Sequence, residues 1–437
     1  MENRIKTGRD VQAEIQAWVR THEDATVELI SKLVSFDTVN GVLTGTEKEL
    51  QLYLQQVMEQ YGLATDLFSP EEVPGFREHP AYFPGKDYSD RPNLVGLHQG
   101  QGGGRSLVFS SHVDTAVVAA GWERDPWTAE REGDRLYGLG TFDMKGGLVA
   151  SLMALRCLIE LGLPPLGDVS IESVVDEEFG GANGTLACRL RGRPADAAII
   201  PEPSNLAVYP ASKGGALWRV AFRGTTGLSF SGETVINPTL AASKFIVFLD
   251  EYERERGKAG GPAPYYTDDR QLPAIVTRVE AGDMQALLND VGPSTCSVDI
   301  WVECHPGVTE EQLQAELLQR FGERFGEHLI QGEYAPTFTK MIRFLPGSEV
   351  EPEFPLIGML AQLTERVTGR QSDVTGAPFA CDAFMFNLYS PTKAIILGPS
   401  GANAHAPDEY IEVPALLQLV ELYALAIVEW CGVAETA

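Results

Sequence analysis

The sequence is short of paired cysteine, of positive charge and of histidine, and the shortages narrow what the chain can be. Its six cysteines, at 157, 188, 296, 304, 381 and 431, include no Cys-x-x-Cys. In a chain of 437 residues such scattered thiols are expected to be reduced and buried, and a disulfide frame is excluded. Lys and Arg number 34 against 61 Asp and Glu, a formal charge of −27, so no nucleic-acid partner is expected. The first ten residues are charged and hold no apolar signal core. No apolar run approaches the ~18 residues of a membrane span. The expectation is a cytoplasmic protein with no membrane partner.

What is present suits two domains, since a single core stops growing near ~250–300 residues. Strands are predicted at 93–97, 106–110, 168–175, 197–200 and 393–397. They alternate with helices at 11–36, 46–61, 144–161, 183–190, 356–367 and 414–430, the pattern of an α/β domain around a mostly parallel sheet. From Ser212-Lys-Gly-Gly215 the composition changes. Strands at 217–222, 274–279 and 296–302 with helices at 240–256 and 310–324 predict a small α+β insert. The expected division is 1–212, 213–336 and 337–437, one α/β domain interrupted by the insert. A proline-rich passage at 68–92 is long for a loop in a compact domain, which points to a function or to wrapping of a surface.

The chemistry begins in the stretch 110–147. His112 and Asp114 follow a short apolar run, and residues two apart on a strand face the same side. His112 can therefore serve as a metal ligand with Asp114 holding its other ring nitrogen and fixing the tautomer. Asp143, in Gly140-Thr-Phe-Asp-Met-Lys-Gly-Gly147, enters a helix and is either an N-cap or a ligand. Taken singly these are ordinary features. However, Glu177-Glu178 follow the strand 168–175, Glu202 follows 197–200, and His405 lies in a glycine-rich turn after 393–397. Ligands of open α/β sheets collect beyond the carboxyl ends of strands, and the recurrence argues against coincidence. Of the seven histidines, His112 and His405 occupy such turns. With Asp143, Glu178 and Glu202 they can hold two divalent ions, and imidazole with carboxylate suits Zn²⁺, Co²⁺ or Mn²⁺. The Glu177-Glu178 pair offers one carboxylate to a metal and one to a proton.

With these motifs in this order, the chain resembles the di-zinc deacylase and exopeptidase family that includes acetylornithine deacetylase, succinyl-diaminopimelate desuccinylase, aminoacylase and glutamate carboxypeptidase. The resemblance runs from about residue 25 to the C-terminus. It is nearest the deacetylase/desuccinylase branch through Arg91-Pro-Asn-Leu-Val, Leu136-Tyr-Gly-Leu-Gly-Thr-Phe-Asp-Met-Lys-Gly-Gly and Trp301-Val-Glu-Cys-His-Pro-Gly. It implies a di-metal catalytic domain interrupted by a lid domain that forms a homodimer. It also implies a small N-acyl substrate whose amide is cleaved. By the resemblance Asp143 bridges two metals, His112 and Glu202 complete one site, and Glu178 with His405 complete the other. Glu177 is the general acid and base, and Asp114 the support of His112.

The lid departs from the family pattern. Where the family carries a His, this chain has Leu228 in Gly224-Thr-Thr-Gly-Leu228-Ser229, and where it carries an Asn, this chain has Asp290, with Asn289 beside it. Losing one oxyanion donor costs ~10²–10³ in rate, which Ser229, Ser231, Asn289 or His305 would have to offset. Asp382 is expected near the pocket or as a helix cap, and Arg219, Arg223 and Arg278 as carboxylate clamps or solvated strand residues. Two other readings stand beside the deacylase: a dipeptidase or carboxypeptidase of the same family, and a metal-binding protein whose catalysis is impaired by Leu228.

Overall fold

The structure is a computed structural model that describes residues 10–192, 194–225, 235–258, 260–269, 271–282, 285 and 291–434. The expectations placed on Leu228, Ser229, Ser231, Asn289 and Asp290 lie outside the described residues. The chain forms two units: one from the chain up to Ala211 with Glu349–Ala377 and Asp382 onward, the other from Ser212–Ser348 with Pro378–Cys381.

The larger unit is built on a nine-stranded sheet. Its order runs Ala64–Phe68, Asn93–His98, Val169–Val174, Leu107–His112, Ala197–Ile200, Ala394–Ile396, Val208–Ser212 and Ser348–Glu349, with Val374–Ala377 attached beside Val208–Ser212. The four consecutive strands from Val169–Val174 to Ala394–Ile396 are parallel, and the neighbours on either side are antiparallel. Every residue of Leu107–His112 is buried, as expected of a strand covered on both faces. This is the mixed α/β fold read from the sequence, with a mostly parallel centre.

Helix Val413–Cys431 packs against Gly146–Glu160, Pro355–Thr368 and Val11–Thr21. Contrary to the expectation that no segment has the length and apolarity of a membrane span, this helix has both, with a mean hydropathy of 1.5. Its window is 78% buried inside the fold, so its composition reflects core packing. The single helix expected at 11–36 is two, Val11–Thr21 and Glu23–Val34. The break falls at His22, whose ring stacks on Trp18 at 3.8 Å and whose Nδ1 lies 2.8 Å from the Trp18 carbonyl.

The smaller unit has an antiparallel sheet ordered Ala274–Ala281, Thr295–Cys304, Gly214–Arg223 and Thr337–Lys340. Helices Pro238–Arg256 and Glu310–Phe325 cover it through a core of Trp218, Phe222, Phe245, Phe248, Leu317 and Phe321. Thr309 and Gln312 form a capping box at the start of the second helix. The return to the larger unit falls at 348/349 rather than 336/337, because Thr337–Lys340 pairs with Gly214–Arg223. A composition change could not reveal that pairing.

Candidate metal centre

Each of the four adjacent parallel strands delivers a residue of the site at its carboxyl end or in the loop that follows. Leu107–His112 ends in His112 itself. After Val169–Val174 the chain turns at Asp176, with φ of 67°, and presents Glu177 and Glu178. Ala197–Ile200 is followed by Glu202, and Ala394–Ile396 leads to the loop that carries His405, with φ of 58°. Asp143 comes from a fifth direction, in the turn Thr141–Lys145 that feeds helix Gly146–Glu160. Two glycines allow the close approach: a Cβ on Gly147 would lie 2.4 Å from Pro201, and one on Gly398 would lie 2.1 Å from the Glu202 carbonyl.

Asp143 sits between the two imidazoles. Its Oδ1 lies 3.2 Å from His112 Nε2, and its Oδ2 lies 3.3 Å from His405 Nε2. His112 Nε2 is 3.6 Å from Glu202 Oε1, and His405 Nε2 is 2.8 Å from Glu178 Oε2. The five side chains thus divide into two sets that share Asp143. Ligand atoms of His112, Asp143 and Glu178 fall within 4.8 Å of one another, as do those of His112, Glu177 and Glu202. Distance alone therefore does not separate Glu177 from the ligands; its assignment as proton carrier comes from the resemblance.

Asp114 acts differently from the expectation. His112 Nδ1 donates to its main-chain carbonyl at 2.9 Å, while its carboxylate Oδ1 is 3.9 Å away. The other carboxylate oxygen, Oδ2, accepts from Asn40 Nδ2 at 2.8 Å and from the backbone N–H groups of Glu177 and Glu178 at 2.9 and 3.1 Å. The backbone of Asp114 fixes the ring, and its side chain anchors the Glu177-Glu178 turn.

Sequence reasoning missed Glu409. It is buried, and its carboxylate accepts from the backbone N–H groups of Gly140, Phe142 and Asp143 at 3.0, 2.8 and 3.0 Å. It therefore shapes the loop that holds Asp143. The only signal was an acidic residue shortly after His405, which a solvated loop would show equally well.

Burial dominates the electrostatics of the three glutamates. It pushes Glu177 and Glu202 well above the ordinary carboxylate range and raises Glu178. Asp143 is held well below that range despite its burial, by hydrogen bonds from both imidazoles. His112 is raised although burial opposes it, chiefly by Glu202 and Asp143, and the Glu178 carboxylate pushes His405 up to about 12. Among the described residues the ion pairs of Asp143, Glu178 and Glu202 are with these histidines and with no Lys or Arg. Glu178 Oε1 is buried with no hydrogen-bond partner. Buried acid without a permanent cation is costly, and a His and carboxylate donor set with an orphaned oxygen fits divalent metal.

Asp382 stands at the N-cap position of helix Ala383–Tyr389 but makes no capping bond; its carboxylate accepts from the Thr185 hydroxyl. Arg219 is paired with Asp299 at 2.7 Å and Arg278 with Glu280, so neither stands as a ready carboxylate clamp.

A mostly parallel α/β unit that gathers two imidazoles and buried carboxylates at its strand ends, with an α+β insert, has the design of a metal-dependent hydrolase. The chain belongs to peptidase family M20/M25/M40, whose model matches residues 108–429. It is 25% identical to the N-formyl-4-amino-5-aminomethyl-2-methylpyrimidine deformylase of Bacillus subtilis, over 96% of this chain and 97% of that one. It is 29% identical to the acetylornithine deacetylase of Klebsiella pneumoniae, over 77% and 83%. Among solved structures it is similar in fold to the di-peptidase Dug1p from Saccharomyces cerevisiae, with a TM-score of 0.75, 12% identity, and 96% and 98% of the two chains covered. The protein is a hydrolase of a family that acts on amide bonds.

Proposed function

We propose that the chain is a deacylase that hydrolyses the amide of a small N-acyl compound to a carboxylate and an amine. Two divalent cations, zinc foremost with cobalt or manganese as alternatives, would be held by His112, Asp143, Glu178, Glu202 and His405. The observation that carries this reading is Asp143, with one oxygen toward His112 and the other toward His405. Acyl removal is favoured by the deformylase matched over nearly the whole of both chains and by the deacetylase.

When bound, the cations would supply Lewis acidity to the amide carbonyl and to an attacking water. Glu177 takes the proton of that water and hands it to the leaving nitrogen. Asp114 Oδ2 holds the backbone of Glu177 and Glu178, so the proton carrier and its neighbouring ligand stay in register. Asp382, buried beside Thr185, is the substrate contact we favour within this unit; Ser229 and Asn289 remain candidates on the insert.

A homodimer through the insert is part of the proposal. Its edge strand Ala274–Ala281 exposes Ile275 and Val279, and helix Pro238–Arg256 exposes Leu240 and Val247. Among the described residues this edge has no strand paired on its outer side, and such an edge with apolar side chains is a template for a second copy. A cytoplasmic setting is supported by six free, buried cysteines.

The test is hydrolysis of a panel of N-formyl, N-acetyl and N-succinyl amino acids, the N-formyl aminomethylpyrimidine and dipeptides, by Zn²⁺- and Co²⁺-loaded protein. Amine release from acylated members, absent in Glu177→Ala, is the expected result. Cleavage of dipeptides alone would overturn the deacylase reading in favour of a peptidase. Activity that survives in Glu177→Ala would remove the proton shuttle.

A further inference from the structure

The proline-rich segment 68–92 has one short 3-10 turn, Pro70–Glu72, yet it buries Lys86, Tyr88 and Arg91 at 7%, 1% and 0% exposure. All three turn toward Asp176, the residue before Glu177. Lys86 Nζ donates to Asp176 Oδ1 at 2.5 Å, Tyr88 Oη donates to Asp176 Oδ2 at 2.5 Å, and Arg91 Nη1 lies 3.5 Å from Oδ1. Asp176 is fully buried and has a φ of 67°, a conformation that an L side chain keeps only where the surroundings hold it. The same segment grips the far end of the turn. Phe83 N donates to Asn183 Oδ1 at 3.1 Å, and Asn183 Nδ2 donates to the Phe83 carbonyl at 2.7 Å and to Tyr88 Oη at 2.8 Å. Asn183 opens helix Asn183–Arg191. One strap therefore fixes both ends of 176–183, the turn that carries Glu177 and Glu178, while Asp114 Oδ2 fixes the turn from inside.

We propose that Lys86 and Tyr88 are positioning residues for Glu177. By saturating both oxygens of Asp176 they keep its backbone left-handed, and so set the direction in which the next side chain leaves the chain. The inference rests on the proposed role of Glu177. A misplacement of about 1 Å at a reacting group can cost about 10²-fold in rate, so an anchor one residue away has leverage without touching substrate.

The experiment compares Tyr88→Phe, Lys86→Met and Lys86→Arg with wild type, on the N-acyl member of the panel that the wild type hydrolyses best. Tyr88→Phe removes one hydroxyl and leaves the ring in place, so it carries the test if Lys86→Met folds poorly. The expected result is a fall in kcat of roughly 10–100-fold with KM within about twofold, two bound metals per chain, and partial recovery in Lys86→Arg. Hydrogen exchange across 176–183, followed by mass spectrometry, should quicken about tenfold in Tyr88→Phe while the strand Leu107–His112 is unchanged. This readout needs no substrate. An unchanged exchange rate and an unchanged kcat overturn the inference. So does a loss of kcat that only tracks lost metal or lost folded protein. If Glu177→Ala keeps its activity, the functional reading fails instead, and exchange alone then decides whether Lys86 and Tyr88 hold the turn.

Discussion

Two clusters of charge lie in the larger unit, one fully buried and one half-buried with an exposed His405, and they are built on opposite principles. In the first, Glu47 receives a forked pair from Arg91 at 2.7 to 3.0 Å, and Asp176 receives Lys86 and Tyr88. In the second, the ion pairs of Asp143, Glu178 and Glu202 among the described residues are with His112 and His405, and Glu177 lies within ligand distance of His112 and Glu202. Burial drives up carboxylates in both, pushing Glu47 to about 7 even beside Arg91. The first cluster carries its counter-ions in the chain, as a structural anchor must. The second holds no Lys or Arg partner among the described residues, and under the proposed function that charge is supplied by a bound cation. The difference separates scaffold from chemistry better than burial or acidity does.

The sharpest way to break the comparison is to remove a carboxylate from the second cluster. Glu177→Ala should lower kcat by about 10²–10⁴-fold while metal content, measured by elemental analysis, stays the same. Lost metal would instead make Glu177 a ligand. Removing the cations should come next in size. Metal at a hundredfold excess over its Kd stabilises the fold by about 2.7 kcal/mol, so chelation should lower the melting midpoint by several degrees. The effect should grow with pH. In the metal-free chain Glu177, Glu178 and Glu202 are raised above their ordinary 4.5 by burial, and His405 is raised from 6.5 to about 12 by Glu178. The folded chain thus holds protons that the unfolded chain has released. The stability tied to the carboxylates is complete below pH 4.5 and that tied to His405 below pH 6.5, and each is lost as pH rises. The His405 share is the smaller, because its side chain is 55% exposed and screened by water. Asp143, lowered by the imidazoles, runs the other way, and its share is lost toward acid. Melting curves from about pH 5 to pH 8 should fall for metal-free protein and stay flat for loaded protein. Calorimetric loading should release protons. Neutral uptake would mean that the histidines are not ligands.

Much of the second cluster was legible because its residue types recur directly after apolar runs, where a parallel sheet puts its ligands. His112, Glu178, Glu202 and His405 could be read that way from strand ends alone. The first cluster was not legible. Lys86, Tyr88 and Asp176 have no periodicity, and a buried lysine in a proline-rich passage reads as an exposed one. Glu409 was hidden for the same reason: its partners are backbone N–H groups, which carry no sequence signature. The helices were found by their apolar spacing, but Ala64–Phe68, with alternate residues half-exposed, was too weak a pattern to stand out. The division at His22 depends on a ring stacking on Trp18, which spacing cannot show.

The first cluster is broken most directly by Arg91→Met. It leaves Glu47 buried without its partner, so the cost should be about 3–5 kcal/mol in denaturant unfolding. A cost below about 1 kcal/mol would mean that the pair is not structural. Gly147→Ala should rank below it. A methyl there meets Pro201 at 2.4 Å, so overpacking of about 1–3 kcal/mol should come with weakened metal binding through the adjacent Glu202. Stability lost with metal affinity intact would show that the strain does not reach the site.

The smallest effect serves as the control for both clusters. Asp250 and Arg254 form an i,i+4 pair on helix Pro238–Arg256, and both side chains are 67% exposed. At that exposure water and salt screen the charges, and holding two long side chains together offsets the attraction. Arg254→Ala should leave the denaturation midpoint unmoved at about 0.15 M salt and leave kcat, KM and metal content as they were. A measurable loss would mean that charge pairs matter in this fold wherever they occur. The contrast drawn from Arg91 would then reflect removal of any pair, and burial would no longer be the quantity that separates anchor from ornament.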